Sequence, residues 1–254
     1  MLEFLPVNDP ALIALVFGVA AMAGVVKGIV GFAMPMILIS GLSSVISPEL
    51  ALAGLILPTV ATNVFQALRQ GMKAAWQSIK RFRVFLLAGG VTLIFGAQVV
   101  RFVDASVMLT GLGLFVGIFS AMQLFGWKPK LEASTRVEAI TGAIAGAIGG
   151  FSGVWGPPTV AYLTAVNTDK QDQIRIQGVI YGLGAVALAV AHIGSGILNA
   201  KTAPFSALLL LPALLGLWIG ASIHDRIDQV AFKKATLAVL MLASLNLLRR
   251  GIMG

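Results

Sequence analysis

The sequence reads GVVKGIVGFAMPM at residues 24–36, and it reads GAIGGFSGVWGPP at residues 146–158. When these two stretches are aligned without gaps, three glycines and one proline coincide in the pattern G-x3-G-x2-G-x3-P. The aligned pairs are Gly24 with Gly146, Gly28 with Gly150, Gly31 with Gly153, and Pro35 with Pro157. Such long-range self-similarity indicates a structural repeat, and the alternative is a chance match between two glycine-rich helices.

A second matching block follows each of these stretches. The segment LIFGA at residues 93–97 aligns with LWIGA at residues 217–221, with an offset that has grown by two residues. Two collinear blocks favour a duplication over shared composition. The sequence therefore predicts two repeats, residues 1–127 and residues 128–254.

The composition is that of a membrane protein. Hydrophobic residues make up 58% of the chain and charged residues only 11%, whereas soluble domains contain about 25% charged residues. The net charge of +8 comes from short cationic clusters between long apolar runs. This pattern is typical of membrane anchoring and not of a nucleic-acid-binding face. The absence of cysteine excludes disulfides, thiol nucleophiles and thiolate metal sites.

Eight apolar stretches separate the charged segments. Six have the length of one membrane crossing, about 20 residues; they are 50–69, 82–103, 106–126, 174–198, 203–223 and 230–248. The other two stretches, 10–47 and 137–167, are too long for one helix, and each contains the Gly/Pro pattern near its middle. We predict that each forms a broken, re-entrant helical hairpin in an all-α integral membrane fold.

The distribution of cations supports these hairpins. With two hairpins, 13 of the 18 Lys and Arg residues fall on the cytoplasmic side, as the positive-inside rule requires. The loops that carry them are 69–83, 127–138, 168–175 and 224–234. Each half then has one hairpin and three crossings, so the two halves cross the membrane in opposite directions and both termini lie outside. Inverted repeats of this kind are common in secondary transporters.

The predicted helix breaks suggest a binding site for an anion. A broken helix in lipid leaves backbone groups without partners, at a cost of several kcal/mol each, unless protein or water in a cavity satisfies them. Pro35 and Pro157 suit the first turn of a new half-helix, whose free N–H groups and positive end attract anions. The alternative is that the glycines serve only for close helix packing.

Lys27 lies inside the first Gly/Pro pattern, deep in an apolar stretch where a cation is costly. It could provide a fixed positive charge for an anionic substrate, and the alternative is that its side chain reaches the membrane surface. Gly149 occupies the aligned position in the second stretch, so the predicted site has an asymmetric charge.

The predicted substrate site combines the two patterns with polar residues of the following helices. For each polar side chain, a hydrogen bond between helices is the alternative role. The predicted set is Lys27, Gly28, Gly31, Pro35, Asn63, Gln66, Gly150, Ser152, Gly153, Trp155, Gly156, Pro157 and Tyr181. We predict no catalytic residue, metal or cofactor, because the two histidines lie on different segments and no HExxH sequence occurs.

The positions of Asp and Glu along the chain bear on the direction of transport. No Asp or Glu lies well inside a predicted span, whereas proton and sodium symporters commonly carry an intramembrane carboxylate. A negative cell interior drives an anion outward with about 2.3 kcal/mol per charge per 100 mV. The sequence therefore favours facilitated efflux.

The paired Gly/Pro patterns and the chain length resemble the sulfite exporter TauE/SafE family, also called TSUP, over nearly the whole chain. The resemblance implies a multi-pass inner-membrane transporter of sulfite, sulfoacetate or other organosulfonates, with carboxylates as substrates of some members. Ile29, Val30 and Phe32 stand where the family pattern is richer in glycine, which leaves the substrate open. An anion channel and a non-transporting scaffold are the competing interpretations. The expected partners are a small anion, the lipid bilayer and a second copy of the chain, but no nucleic acid.

Overall fold

A computed structural model describes residues 9–99, 105–126, 134–152, 156–194 and 196–253. Within these ranges the regular elements are all helices and none is a strand, which confirms the all-α class. The helices are α1 (Pro10–Val30), α2 (Met34–Leu42), α3 (Pro48–Leu68), α4 (Met72–Arg81), α5 (Arg83–Val99), α6 (Ala105–Leu124), α7 (Thr135–Ser152), α8 (Gly156–Ala165), α9 (Lys170–Gly194), α10 (Ala203–Leu208), α11 (Leu210–Arg226) and α12 (Gln229–Met253).

Several helices are long and apolar enough to cross a membrane. Among the described residues, five segments meet this requirement: Pro10–Val30, Glu49–Leu68, Lys170–Gly194, Ala203–Arg226 and Gln229–Met253. Two shorter apolar segments, Arg83–Phe95 and Gly113–Leu124, belong to α5 and α6. The predicted spans 82–103 and 106–126 thus contain helices, and residues 100–104 lie outside the described ranges.

One predicted span contains a junction between two helices, and one predicted loop contains a helix. The predicted span 203–223 lies within Ala203–Arg226, which is long and apolar enough to cross a membrane, and it comprises two helices, α10 and α11, which meet at Leu209. Pro212 follows three residues later and has no N–H to continue the helical hydrogen bonds across this junction. The predicted loop 69–83 contains helix α4, whose interspersed cations hide it from a search for long apolar runs.

The described contacts divide the chain into two compact units. The first unit comprises Met1–Ala75 and Ile174–Asp228, and the second comprises Trp76–Gln173 and Gln229–Gly254. Each unit draws on both halves of the sequence. The first unit contains α1 and α2, and the second contains α7 and α8, so each includes one of the two long apolar stretches.

The first long apolar stretch is interrupted after Val30. Gly31 ends α1 with φ +92°, and Ala33 precedes α2 with φ +73°, so the chain changes direction between the two helices. Helix α2 then folds back along α1, because a Cβ added to Gly41 would lie 2.6 Å from Cγ1 of Val19. The two helices share an apolar core that includes Val16, Val19, Ala20, Ala23, Met34, Leu38 and Leu42.

Glycine allows the backbones of α1 and α11 to approach closely within the first unit. A Cβ added to Gly24 would lie 2.2 Å from the carbonyl oxygen of Ala213. In the second unit, a Cβ added to Gly146 of α7 would lie 2.0 Å from the carbonyl oxygen of Gly89 of α5. Gly24 aligns with Gly146 in the first block of the repeat. Gly89 and Ala213 each lie four residues before the second block, LIFGA or LWIGA, so they align with each other. The two units therefore contain an equivalent helix pair.

The same two helix pairs, α1 with α11 and α7 with α5, make a second set of contacts at aligned positions. A Cβ added to Gly216 would lie 2.0 Å from the carbonyl oxygen of Ala21 in the first unit. In the second unit, the Thr92 hydroxyl donates to the carbonyl oxygen of Ala143 at 2.8 Å. The same alignment matches Ala21 with Ala143 and Thr92 with Gly216. Both helix pairs thus pack in the same register, through small residues as is common in membrane proteins.

A buried serine replaces the backbone hydrogen bond that Pro58 removes from α3 in the first unit. Because proline has no N–H, the carbonyl of Gly54 loses its normal helical donor. The hydroxyl of Ser206, on α10, donates to the Gly54 carbonyl at 3.1 Å and accepts from the Leu57 N–H at 3.1 Å. Ser206 is fully buried, so α3 keeps its polar backbone satisfied beside the helix break of α1 and α2.

Candidate functional site

The break between α1 and α2 requires glycine at position 31. Its φ of +92° lies in the left-handed region, where residues with a Cβ are strained. Space is also limiting, because a Cβ added there would lie 2.0 Å from Oε1 of the buried Gln177. The Gly31 N–H donates to the carbonyl of Lys27 at 2.7 Å and closes the last turn of α1. The predicted role of Gly31 in the break thus has a direct structural cause.

Lys27 lies in this last turn and is only 1% exposed. Its ammonium donates a hydrogen bond to Oδ1 of Asn63, on α3. The ion pairs among the described residues, Arg69 with Asp225 and Arg81 with Glu138, do not include it. Its burial argues against the alternative of a side chain that reaches the surface. Lys27 is therefore a buried amine beside the helix break, and its charged form is costly to bury without a counter-charge.

Two amide side chains of α3 contact Lys27, Asn63 at the ammonium and Gln66 at the backbone. Gln66 donates from Nε2 to the carbonyl oxygen of Lys27 at 3.1 Å. Within the described part of the chain, Nδ2 of Asn63 and Oε1 of Gln66 have no hydrogen-bond partner although both side chains are buried. Buried polar atoms are normally satisfied by protein or water. The two amides that contact Lys27 thus carry a donor and an acceptor that are available to a ligand.

The N-terminus of α2 lies close to the same part of α3. Met34 is its first residue, Pro35 lies in its first turn as predicted, and no side chain caps the helix. The Thr62 hydroxyl is 3.4 Å from the Met34 sulfur, and Thr62 directly precedes Asn63. A helix N-terminus presents unsatisfied N–H groups and a partial positive charge. The break is therefore flanked by Lys27 in the last turn of α1 and by an uncapped helix N-terminus.

His224 of α11 contacts the other side of the break. It is fully buried, and its Nδ1 lies 3.1 Å from the carbonyl oxygen of Ile29 in the last turn of α1. The predicted cytoplasmic loop 224–234 begins at His224, but this residue lies in the last turn of α11. No spacing in the sequence could reveal this contact, because it joins residues that are far apart in the chain.

The chain was also compared with known protein families. The chain matches the family model described as "Sulfite exporter TauE/SafE" over residues 16–247. The chain belongs to the TauE/SafE family. Neither a curated protein nor a solved structure matches the chain significantly. Family membership and the five apolar segments together identify a multi-pass membrane protein of a transporter family.

The TauE/SafE chain also carries one predicted site residue on α9, Tyr181, in the first unit. A Cβ added to Gly178 would lie 2.4 Å from the backbone nitrogen of Ala67, and a Cβ added to Gly182 would lie 3.7 Å from Cβ of Asn63. Helix α9 thus crosses α3 beside the two amide residues. Tyr181 lies between these glycines in the sequence and is buried. Its contact with a substrate stays a prediction.

Gly28 packs against another helix. A Cβ added to it would lie 2.4 Å from the carbonyl oxygen of Leu217 and 2.7 Å from the nitrogen of Ala221. Close packing against α11, the alternative considered from the sequence, therefore explains why glycine is needed here. Contact between Gly28 and a substrate stays a prediction.

The remaining predicted residues of this TauE/SafE chain belong to the second unit. Gly150 and Ser152 lie in the last turn of α7. Gly156 and Pro157 begin α8, in which Pro157 and the residues that follow it are buried. Gly153 and Trp155 lie outside the described residues. The part of these residues in a substrate site stays a prediction.

Proposed function

We propose that this TauE/SafE protein exports sulfite or small organosulfonates, such as sulfoacetate, across the inner membrane. The substrate would bind at the break between α1 and α2. The observation that carries this proposal is Lys27, which is buried without a carboxylate partner among the described residues, in the last turn before a break that is followed by an uncapped helix N-terminus.

Charge and hydrogen bonding favour an oxyanion as the ligand. The ammonium has three N–H groups, and the bond to Asn63 uses one of them. A bound anion would provide the missing counter-charge, which lowers the cost of burying Lys27. It would also accept from Nδ2 of Asn63, which has no partner among the described atoms. Helix N-termini bind anions by the same combination of donors and dipole.

The geometry of the donors favours sulfur oxyanions over carboxylates. The ammonium, the Asn63 amide and the N-terminus of α2 are three separate sources of N–H donors. Sulfite and sulfonates present three oxygens, whereas a carboxylate presents two. Membership of the sulfite exporter family supports the same choice.

The equivalent helix pairs in the two units support a duplicated architecture. Gly24 and Gly146 make matching contacts, with Ala213 and Gly89 respectively. Together with the distribution of Lys and Arg, these contacts favour two inverted repeats, residues 1–127 and 128–254, each with a re-entrant hairpin and three crossings.

Transport assays with purified protein in liposomes test the proposal. We expect saturable export of labelled sulfite or sulfoacetate that depends on membrane potential. For a singly charged anion, 100 mV corresponds to about 2.3 kcal/mol, or a roughly 50-fold concentration ratio at equilibrium. Liposomes without protein are the control.

Three results would contradict the proposed function. Flux that rises linearly with anion concentration and never saturates indicates a channel. Transport of carboxylates with no transport of sulfite or sulfonates indicates a different substrate class. The absence of both flux and anion binding indicates a scaffold.

A further inference from the structure

Helix α4 (Met72–Arg81) has a face that the proposed transport function does not use. Ala75 and Ser78, one turn apart, are buried and fix the inner side of the helix. Met72 and Trp76, also one turn apart, are 69% and 56% exposed. A helix places residues i and i+4 on the same side. The outward side of α4 therefore carries a methionine and a tryptophan next to each other.

Cations lie beside this exposed apolar pair. Lys73 and Lys80 lie on α4, and Arg83 begins α5; all three are exposed. The ammonium of Lys80 lies 5.7 Å from the centre of the Trp76 ring. At 100° per residue, Lys73 and Lys80 fall on one flank of the line through Met72 and Trp76. The helix surface thus divides into a buried side, an exposed apolar side and a cationic flank.

The protein provides no counter-charge for these three cations among its described residues. Arg81, on the same helix, is the cation that has an acidic partner, Glu138. The described ion pairs include neither lysine of α4 nor Arg83. An exposed surface with three unpaired positive charges and a tryptophan is complementary to an anionic, partly apolar partner.

We propose that α4 lies in the membrane interface and binds anionic phospholipids of the cytoplasmic leaflet. Trp76 and Met72 would enter the boundary between headgroups and acyl chains, where tryptophan is enriched in membrane proteins. Lys73, Lys80 and Arg83 would contact the headgroup phosphates. Amphipathic helices with cations on one face and a large apolar residue on another bind anionic membranes in this way. The positive-inside rule places this segment on the cytoplasmic side.

Quenching of Trp76 by brominated lipids tests this proposal on the full chain in bilayers. The Trp76 signal is the difference between wild type and Trp76→Phe. It is measured in two bilayers of phosphatidylglycerol and phosphatidylcholine, with bromine on one lipid or the other. One Lys or Arg near an anionic leaflet raises the association constant for that leaflet about fivefold. We expect brominated phosphatidylglycerol to quench Trp76 with an apparent association constant at least about fivefold above that of phosphatidylcholine.

A charge-matched pair of variants separates a local effect from net charge. The double variant Lys73→Gln/Lys80→Gln should lower the lipid preference toward one. The control Lys201→Gln/Arg250→Gln also removes two exposed cations, but from outside this segment, and should keep the preference. Equal quenching by the two lipids in wild type would overturn the proposal, as would an equal loss in both double variants. The absence of any quenching would show that Trp76 does not enter the membrane.

Discussion

Replacing Lys27 by methionine is expected to lower the rate of anion export by about a hundredfold, which corresponds to about 3 kcal/mol. Methionine has a similar length and fills the same buried space, but it carries no charge and donates no hydrogen bond. A negative solute at the break would then face only the amides and the helix end. The measurement is the initial rate of sulfite or sulfoacetate export from proteoliposomes at saturating and sub-saturating substrate.

The stability of this variant distinguishes a binding role from a structural one. Because no carboxylate among the described residues pairs with Lys27, removing the charge should leave the thermal unfolding temperature of the ligand-free protein unchanged or raise it. Lys201→Met, at an exposed position, is the matched control and should export normally. Export by Lys27→Met within twofold of wild type would remove Lys27 from the substrate site.

Substituting alanine at Gly24 or at Gly146 is expected to destabilise the protein by about 1–3 kcal/mol, because the added methyl group overpacks a close helix contact. The neighbouring atoms are backbone carbonyl oxygens, 2.2 Å and 2.0 Å from the new Cβ position. They can yield only if the two helices separate. Equivalent contacts should give similar losses, which unfolding of the purified protein with increasing SDS can measure.

Gly18 and Gly90 provide matched controls for this comparison. A Cβ added at either position has no atom within 4 Å. Alanine there should leave stability unchanged or raise it by up to about 1 kcal/mol through higher helix propensity. If Gly24→Ala and Gly146→Ala proved as mild as these controls, the close packing of α1 with α11 and of α7 with α5 would be wrong.

The sequence predicts the helix break because its cause is local. Gly31 supplies a backbone conformation that other residues rarely adopt, and Pro35 favours a helix start. The structure has both features, at the end of α1 and in the first turn of α2. Ala33 also has a positive φ, which no local pattern indicates, since alanine seldom adopts this conformation.

The partners of Lys27 are only partly predictable. Asn63 and Gln66 were predicted as site residues because they are polar side chains in an apolar helix. Their pairing with Lys27 depends on how α3 packs against α1, which residue spacing does not encode. The contact of His224 with α1 was missed for the same reason. Helix α4 was missed for a different reason, since an amphipathic helix of ten residues has no long apolar run.

Anomalous diffraction from crystals soaked in selenite tests the central claim most directly. Selenite is a pyramidal oxyanion like sulfite, and its selenium atom can be located independently of the protein. We expect a selenium peak about 4 Å from Nζ of Lys27, with an oxygen in hydrogen-bond contact with the ammonium and with Nδ2 of Asn63. A peak elsewhere in the protein, with none beside Lys27 at saturating selenite, would contradict the proposed site.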